Sequence, residues 1–460
     1  MPAKRRLIIV ANRLPVHRVG SADGARWQSS PGGLVTALAP VLQRCNGAWV
    51  GWSGAAGPAP RTFVHDGLRI KAVALSTSDV ERYYHGLCNR TLWPLYHDAI
   101  RTPEFKRDWW WPYMDANARF ARSAAATARK GDLVWVHDYH LQLVPKMLRE
   151  LRPDLKIGFF LHTPFPPEEI FAWLPWRRQV LEGLLGADVV GFQTSAGARN
   201  FSRAAREFTE AEGTDFRLEF AGREVRVNAF PISIDTGWFE KHAADPKVLK
   251  EAQEIRRRIG SHRKILLGVD RLDYTKGIDS RMNAFDLLLK QKSVSVDDCV
   301  LMQIAVPSRE TVGEYAQTRK TIEQTVGRIN GNHSIPGRVA VHYFRRGYSR
   351  EELIPYYRAA DVMLVTPLRD GMNLVAKEYV ATRTDNTGVL VLSEFAGAAR
   401  ELRRALLVNP RDLEGMAAAI HAAMTFPKED ARLRMSILRT VVRRHDVHDW
   451  AESFLGALVS

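Results

Sequence analysis

Short apolar runs separated by amphipathic stretches recur along the whole chain, and no other feature restricts its fold so strongly. The runs are "RLIIVAN" (6–12), "DLVWVHD" (132–138), "KIGFFLH" (156–162), "DVVGFQ" (188–193), "KILLGVD" (264–270), "VLMQIAVP" (300–307), "VAVHYF" (339–344), "DVMLVTP" (361–367), "GVLVLSEF" (388–395) and "ALLVNP" (405–410). Each has strand length and is rich in β-branched residues, largely without polar alternation. Strands of that kind are buried on both faces, as in a parallel sheet covered by helices. Helical periodicity over 140–151, 278–291, 311–329 and 412–424 fills the gaps, and 217–231 reads as a hairpin. The expected class is a doubly wound α/β fold.

The strands are too many for one sheet of this type, and 460 residues are too many for one core. The turn-rich "PISIDTGWF" (231–239), followed by a charged helical stretch over 246–259, marks a break. It predicts two Rossmann-like halves, 1–234 and 235–444, facing each other across a cleft. Residues 445–460 are expected to form a terminal helix that crosses back to the first half. No repeat of fixed period is present.

The formal net charge of +15 and a pI near 9.8 favour anionic partners: phosphorylated metabolites, nucleic acid or a membrane surface. No basic stripe interleaved with aromatics is present, nor a zinc or helix-turn-helix pattern, which sets nucleic acid aside. No segment approaches a membrane span, which sets the membrane aside. "MPAKRRLIIVANRLP" superficially resembles a signal peptide, but "LIIVA" is too short and reads as a first buried strand. Cys45, Cys88 and Cys299 fit no metal or disulfide pattern, which suits a reducing cytoplasm. A homo-oligomer is compatible with all of this.

In open α/β sheets, ligands bind beyond the carboxyl ends of the strands. Strand 264–270 runs into "DRLDYTKG", with Arg271 and Lys276 across a turn. Two cations at one strand end suit a diphosphate; the plainer alternative is a solvated turn with local Asp–Arg pairing. After "DVMLV", the stretch "TPLRDGMNLVAKEYV" (366–380) turns into a helix starting near Leu374. Its first N–H groups lack intrahelical partners and suit phosphate oxygens. Asp370 at the mouth suits a sugar hydroxyl, and Glu378 one turn in suits ribose hydroxyls. The alternative is a helix capped by Asn373 with Asp370 paired to Arg369, which leaves Glu378 unexplained. In the first half, Arg13 and Asp138 stand at strand ends, and "SSPGGLVTAL" places Gly32 and Gly33 before a helix. His137 and His140 invite a metal, but no third ligand is in view. His162 ends another strand; a buried structural histidine is the default there. Arg309 follows strand 300–307 and is a candidate anion ligand. The aromatic stretches 80–98 and 107–114 fit core packing, or in part a carbohydrate site.

The motifs "ANRLP", "GGL", "GWSG", "LWPLYH", "VHDYHL", "FLHTPFP", "VDRLDYTKG", "GRING", "TPLRDGMNLVAKEYV" and "SEFAGAA" occur in that order over nearly the whole chain. Together they resemble the trehalose-6-phosphate synthase family, retaining glycosyltransferases of family 20 with the two-Rossmann GT-B fold. The resemblance implies transfer of glucose from a nucleotide-glucose, UDP-glucose first among them, to glucose 6-phosphate, giving trehalose 6-phosphate in trehalose biosynthesis. Sibling reactions using ADP- or GDP-glucose, or glycerol 3-phosphate as acceptor, stay open. It places the donor site on Gly32, Gly33, Arg271, Lys276, Asn373, Leu374, Val375 and Glu378, with Tyr348 near the base. The acceptor site falls on Arg13, Tyr84, Trp93, Asp138 and Arg309, while His162 and Asp370 contact the transferred glucose. Arg271, Lys276, Asp370 and His162 are thereby the candidate catalytic residues. The chain contains no Asp-x-Asp triplet, so neither metal nor cofactor is expected. Loop 16–31 is polar and carries no family signature.

Overall fold

The structure, a computed structural model, describes residues 5–19, 26–29, 35, 38, 42, 46–307 and 313–460. The chain divides into one unit of Met1–Ile232 with His448–Ser460, and a second of Ser233–Val447.

The first unit is built on a ten-stranded sheet. Its parallel body comprises, in chain order, Leu7–Arg13, Ala48–Trp52, Leu68–Val73, Leu133–His137, Lys156–Phe160, Val189–Phe192 and Arg223–Ala229. Numbered in that order they lie side by side as 3-2-1-4-5-6-7, with antiparallel edges added by Phe63–His65 on one side and Arg217–Phe220 on the other. Leu7 to Asn12 are buried without interruption, and the strand then ends on exposed Arg13. The sheet thus has helices on both faces, as its unbroken apolar runs require.

The tenth strand, Glu212–Gly213, pairs outside Arg217–Phe220, and it and three other strands of this sheet have no counterpart among the predicted runs. "AWVGW" is interrupted by glycine, and "LRIKAV" carries Arg69 and Lys71 on its less buried positions near the sheet edge, so neither reads as a continuous apolar run. Phe63–His65 and Glu212–Gly213 are too short to show periodicity. The polar segment after Arg13 folds as a separate hairpin, Val16–Val19 with Arg26–Ser29. The aromatic stretch Val80–Leu92 forms a π-type helix in which Tyr83, Leu87 and Leu92 are buried. The helix expected over 140–151 begins as a tight turn, Tyr139–Leu141, before Val144–Leu151.

The second unit holds a six-stranded sheet, parallel throughout. Its strands are Lys264–Arg271, Cys299–Val306, Val341–Phe344, Val362–Val365, Val389–Ser393 and Leu406–Val408, ordered 3-2-1-4-5-6. That is the doubly wound arrangement, in which the strand order reverses between the first and fourth strands. Leu266, Leu301 and Val391 of the sheet pack with Phe285, Met416 and Ile420 of its helices in one core.

The helix Val447–Val459 packs on the first sheet. Phe454 stacks on Trp135 at 4.2 Å and 6°, and Trp450 meets Trp135 at 5.0 Å. Two glycines make room: a Cβ at Gly158 would stand 2.6 Å from the Phe454 ring, and one at Gly191 2.7 Å. No real Cβ tolerates such distances in a close-packed interior. Gly158→Ala should therefore lower the unfolding free energy by about 1–3 kcal/mol. In a Phe454→Leu background, urea denaturation should find most of that cost removed, since the two sites share one contact.

Candidate functional site

At the end of the first sheet, the strand order reverses between Leu7–Arg13 and Leu133–His137, which pair with Ala11 opposite His137. The Arg13 guanidinium lies over the Trp52 ring at 4.8 Å, a cation–π contact. Gly54, at φ 95°, leaves it room, because a Cβ there would collide with the guanidinium. Trp52 meets Tyr84 edge-on at 5.5 Å, and Tyr84 stacks on His140 at 5.9 Å. Tyr139, in ring contact with His140, lies 5.6 Å from buried Trp93. Asp138 adopts φ 74°, rare for a residue with a Cβ. Its amide donates to the Phe160 carbonyl at 2.8 Å, and its Oδ1 accepts from the His162 amide at 3.2 Å. Its Oδ2 stands 3.9 Å from His140 Nδ1. Arg13, Tyr84, Trp93, Asp138 and His162 thus form one connected group.

The His137/His140 pair does not act as a unit. His140 faces Asp138, whereas His137 Nδ1 lies 3.2 Å from His162 Nε2. Among the described residues no group of three or more His, Cys, Asp or Glu side chains is placed to hold a metal ion. Burial, reinforced by the neighbouring His162, holds His137 well below the usual imidazole range. Burial pushes His162 down to about 3. Both rings are neutral near pH 7.

In the second unit the reversal falls between Lys264–Arg271 and Val362–Val365. The loops leaving these strands are joined. The Leu368 amide donates to the Thr275 carbonyl at 2.8 Å, and Lys276 Nζ donates to Asp370 Oδ2 at 2.6 Å. Asn373 Nδ2 donates to the same carboxylate oxygen at 3.2 Å. At Gly277, φ is 61° and a Cβ would collide with the Thr366 carbonyl. Below the loops, fully buried Arg281 donates to Asp270 at 2.6 Å, Gln303 at 2.8 Å and Thr366 at 3.0 Å. It ties three adjacent strands together. Arg271 is exposed at the end of its strand.

The helix after this turn is Leu374–Thr382, capped by Asn373, whose Oδ1 accepts from the Ala376 amide at 3.3 Å. Leu374 and Val375 open it, half-buried. The turn is backed by residues 394–399: the Asp370 amide donates to Phe395, the Gly397 amide to Asp370 and the Ala398 amide to Met372. A side chain at Gly397 would run into the Gly371 carbonyl. Lys377, only 1% exposed, is a structural residue, its Nζ 3.0 Å from the Glu401 carboxylate. Glu378 Oε2 accepts from Tyr357 Oη at 2.9 Å, and burial raises its pKa. Tyr348 carries the Arg346 guanidinium over its ring at 4.3 Å and abuts Tyr356 at 5.5 Å. Gly32, Gly33 and Arg309 lie outside the described residues.

Sequence reasoning missed Tyr357, Arg281, Trp52 and Trp450. Arg281 and Trp450 lie in predicted helices, Trp52 and Tyr357 in segments without a predicted element, and nothing local announces the polar or aromatic partner of any of them. The Lys276 partner of Asp370 was equally hidden, 94 residues away.

The sequence pattern of Glycosyltransferase family 20 matches residues 5–460. The trehalose-6-phosphate synthase of Mycolicibacterium gilvum is 53% identical over 474 residues, spanning 100% of this chain and 94% of the relative. A solved trehalose-6-phosphate protein from E. coli, bound with UDP-2-fluoro glucose, is similar at 34% identity and a TM-score of 0.90, with 98% of each chain covered. A UDP-forming alpha,alpha-trehalose-phosphate synthase from Burkholderia xenovorans, solved with glucose-6-phosphate, is similar at 34% identity and a TM-score of 0.90. It covers 99% of this chain and 100% of its own.

Buried His137 and half-buried His162 make stability pH-dependent. In the unfolded chain a histidine takes up a proton near pH 6.5. In the fold His137 and His162 resist doing so until far lower pH. The unfolded state therefore binds more protons as pH falls below about 6.5, and each ring removes up to ~1.4 kcal/mol of stability per pH unit. Urea midpoints measured between about pH 6.5 and 5, above the main carboxylate range, should fall with pH. In His162→Gln the slope should be smaller.

Proposed function

The chain belongs to glycosyltransferase family 20, the GT-B family of the trehalose-6-phosphate synthases, and from that premise we propose that it transfers glucose from UDP-glucose to glucose 6-phosphate with retention. The products are UDP and trehalose 6-phosphate. One observation carries the reading: polar side chains gather where the strand order of each sheet reverses, the position at which such sheets bind ligands.

In this reading Arg271, Lys276 and the helix end at Leu374 and Val375 hold the diphosphate, Glu378 the ribose and Tyr348 the base side. Gly32 and Gly33 complete the donor set. Arg13, Tyr84, Trp93, Asp138 and Arg309 bind glucose 6-phosphate, and His162 with Asp370 contact the transferred glucose. The bond between the anomeric carbon and the diphosphate oxygen breaks, and a bond to the acceptor's anomeric oxygen forms on the same face. The acceptor proton passes to the departing phosphate. Asp370 is neutralised by Lys276 and hydrogen-bonded by Asn373, which makes it a poor nucleophile and favours this route over a covalent one. Charge growing on the leaving diphosphate is met by fixed cations and helix N–H groups. The free, buried Cys88 and Cys299 suit a cytoplasmic location.

Arg271→Ala and Lys276→Ala should each lower kcat by about a hundredfold or more, because both cations act on charge that develops in the transition state. A near-normal kcat with only a raised donor KM would contradict the assignment. Turnover of UDP-, ADP- and GDP-glucose against glucose 6-phosphate, glucose and glycerol 3-phosphate tests the substrate pair directly, with UDP-glucose and glucose 6-phosphate expected to lead.

The reaction is proposed to need no metal, since the chain lacks an Asp-x-Asp triplet. Activity should survive exhaustive chelation. Complete loss, restored by one divalent ion, would count against it.

A further inference from the structure

Three buried nitrogens of the first unit, Trp135 Nε1, His137 Nε2 and Trp450 Nε1, have no hydrogen-bond partner among the described residues. Their rings belong to one aromatic cluster: Trp135 lies 4.8 Å from His137 and 5.0 Å from Trp450, and Trp450 lies 6.2 Å from His162. An indole nitrogen can only donate. Two of the three atoms are therefore buried donors, and a proton on His137 Nε2 would add a third. A bare lone pair there avoids this and supplies the only acceptor of the three. Orphaned buried N–H groups are the rarer defect in folded proteins.

The opposite side of the ring is then determined. Neutral His137 with a bare Nε2 carries its proton on Nδ1, which lies 3.2 Å from His162 Nε2. It donates there, so neutral His162 carries its own proton on Nδ1. That nitrogen makes no hydrogen bond among the described residues, and His162 is half-buried. The His162 amide is meanwhile held by Asp138 Oδ1 at 3.2 Å, so backbone and ring are both anchored.

We propose that His137 is a positioning residue that fixes His162 as its Nδ1–H tautomer, so that the ring offers the transferred glucose an N–H donor. The purpose, though not the tautomer, rests on the assignment of His162 to the sugar. Burial keeps both rings neutral, so tautomer and not charge is the variable. A ring free to exchange tautomers would present a donor only part of the time, and misplaced polar groups cost rate more than affinity.

Long-range proton–nitrogen correlation spectra of the whole enzyme, labelled with nitrogen-15 in histidine, read which nitrogen is protonated in each neutral ring. The signals are assigned by their loss in His162→Gln and His137→Asn. Protonation of both rings at Nδ1 is expected; a proton on His162 Nε2 overturns the proposal. His137→Phe keeps the ring but removes the donor, and should lower kcat roughly tenfold or more with both KM values changed less than about threefold. In that variant the His162 signal should leave the Nδ1–H pattern. His137→Asn, whose amide can donate near the same point, should recover most of the rate. Equal losses in both variants with an unchanged His162 tautomer would mean a packing role and overturn the proposal. If His137→Phe does not fold, the wild-type spectrum still decides. If His162→Gln turns over normally, the sugar assignment fails, while the spectrum judges the tautomer separately.

Discussion

The ion pair between Lys276 and Asp370, at 2.6 Å, joins the loop after the first strand of the second sheet to the loop after its fourth. The rest of that site depends on the junction. A parallel sheet brings these two strand ends side by side but leaves their loops independent. The pair, the Leu368–Thr275 backbone bond and the Gly277 contact make them one surface. Arg281 ties the strands below, its burial offset by Asp270, which pairs its charge, and by Gln303 and Thr366, which accept from its Nη1 and Nε. Asn373 adds a third link: it caps the helix with one side-chain atom and donates to Asp370 with the other.

The two units repeat one device with different contents. In each, the first strand is a run of buried residues that ends on an exposed arginine, Arg13 or Arg271, at the point of strand reversal. Around Arg13 the neighbours are rings, which offer flat apolar faces with polar edges. At the loops beyond Arg271's strand and its neighbour, Lys276 and Asp370 pair beside the helix that begins at Leu374, a setting that offers charge. Sugar-ring recognition suits the first setting and phosphate the second.

The fold class was legible because a parallel sheet writes itself as unbroken apolar runs, and nearly every such run became a strand. Ala48–Trp52 and Leu68–Val73 escaped because glycine or basic residues interrupt them. At the site, strand-end position alone singled out Arg13, Asp138, Arg271 and Lys276. Position also singled out Arg309 after a strand and Asp370, Leu374 and Glu378 at a helix start, whereas the roles of Tyr84, Trp93, His162 and Tyr348 came from the family resemblance. What the sequence could not disclose was pairing. The His137–His162 contact joins residues 25 apart, and Tyr357–Glu378 joins residues 21 apart on the helices Arg350–Ala359 and Leu374–Thr382. Lys377, next to Glu378 in the chain, anchors the helix from its buried side through Glu401.

The seat of Phe454 has a consequence for the order of assembly. The first sheet's strands Leu133–His137, Lys156–Phe160 and Val189–Phe192 are complete long before the helix that covers them, because the whole second unit intervenes in the chain. During synthesis Trp135, and the glycine-lined bed at 158 and 191, must wait for residues 447–459 while some two hundred others are made and folded. The closing contact is thus of very long range, which slows folding and leaves an aromatic surface open to chaperones or to misassociation in the interval.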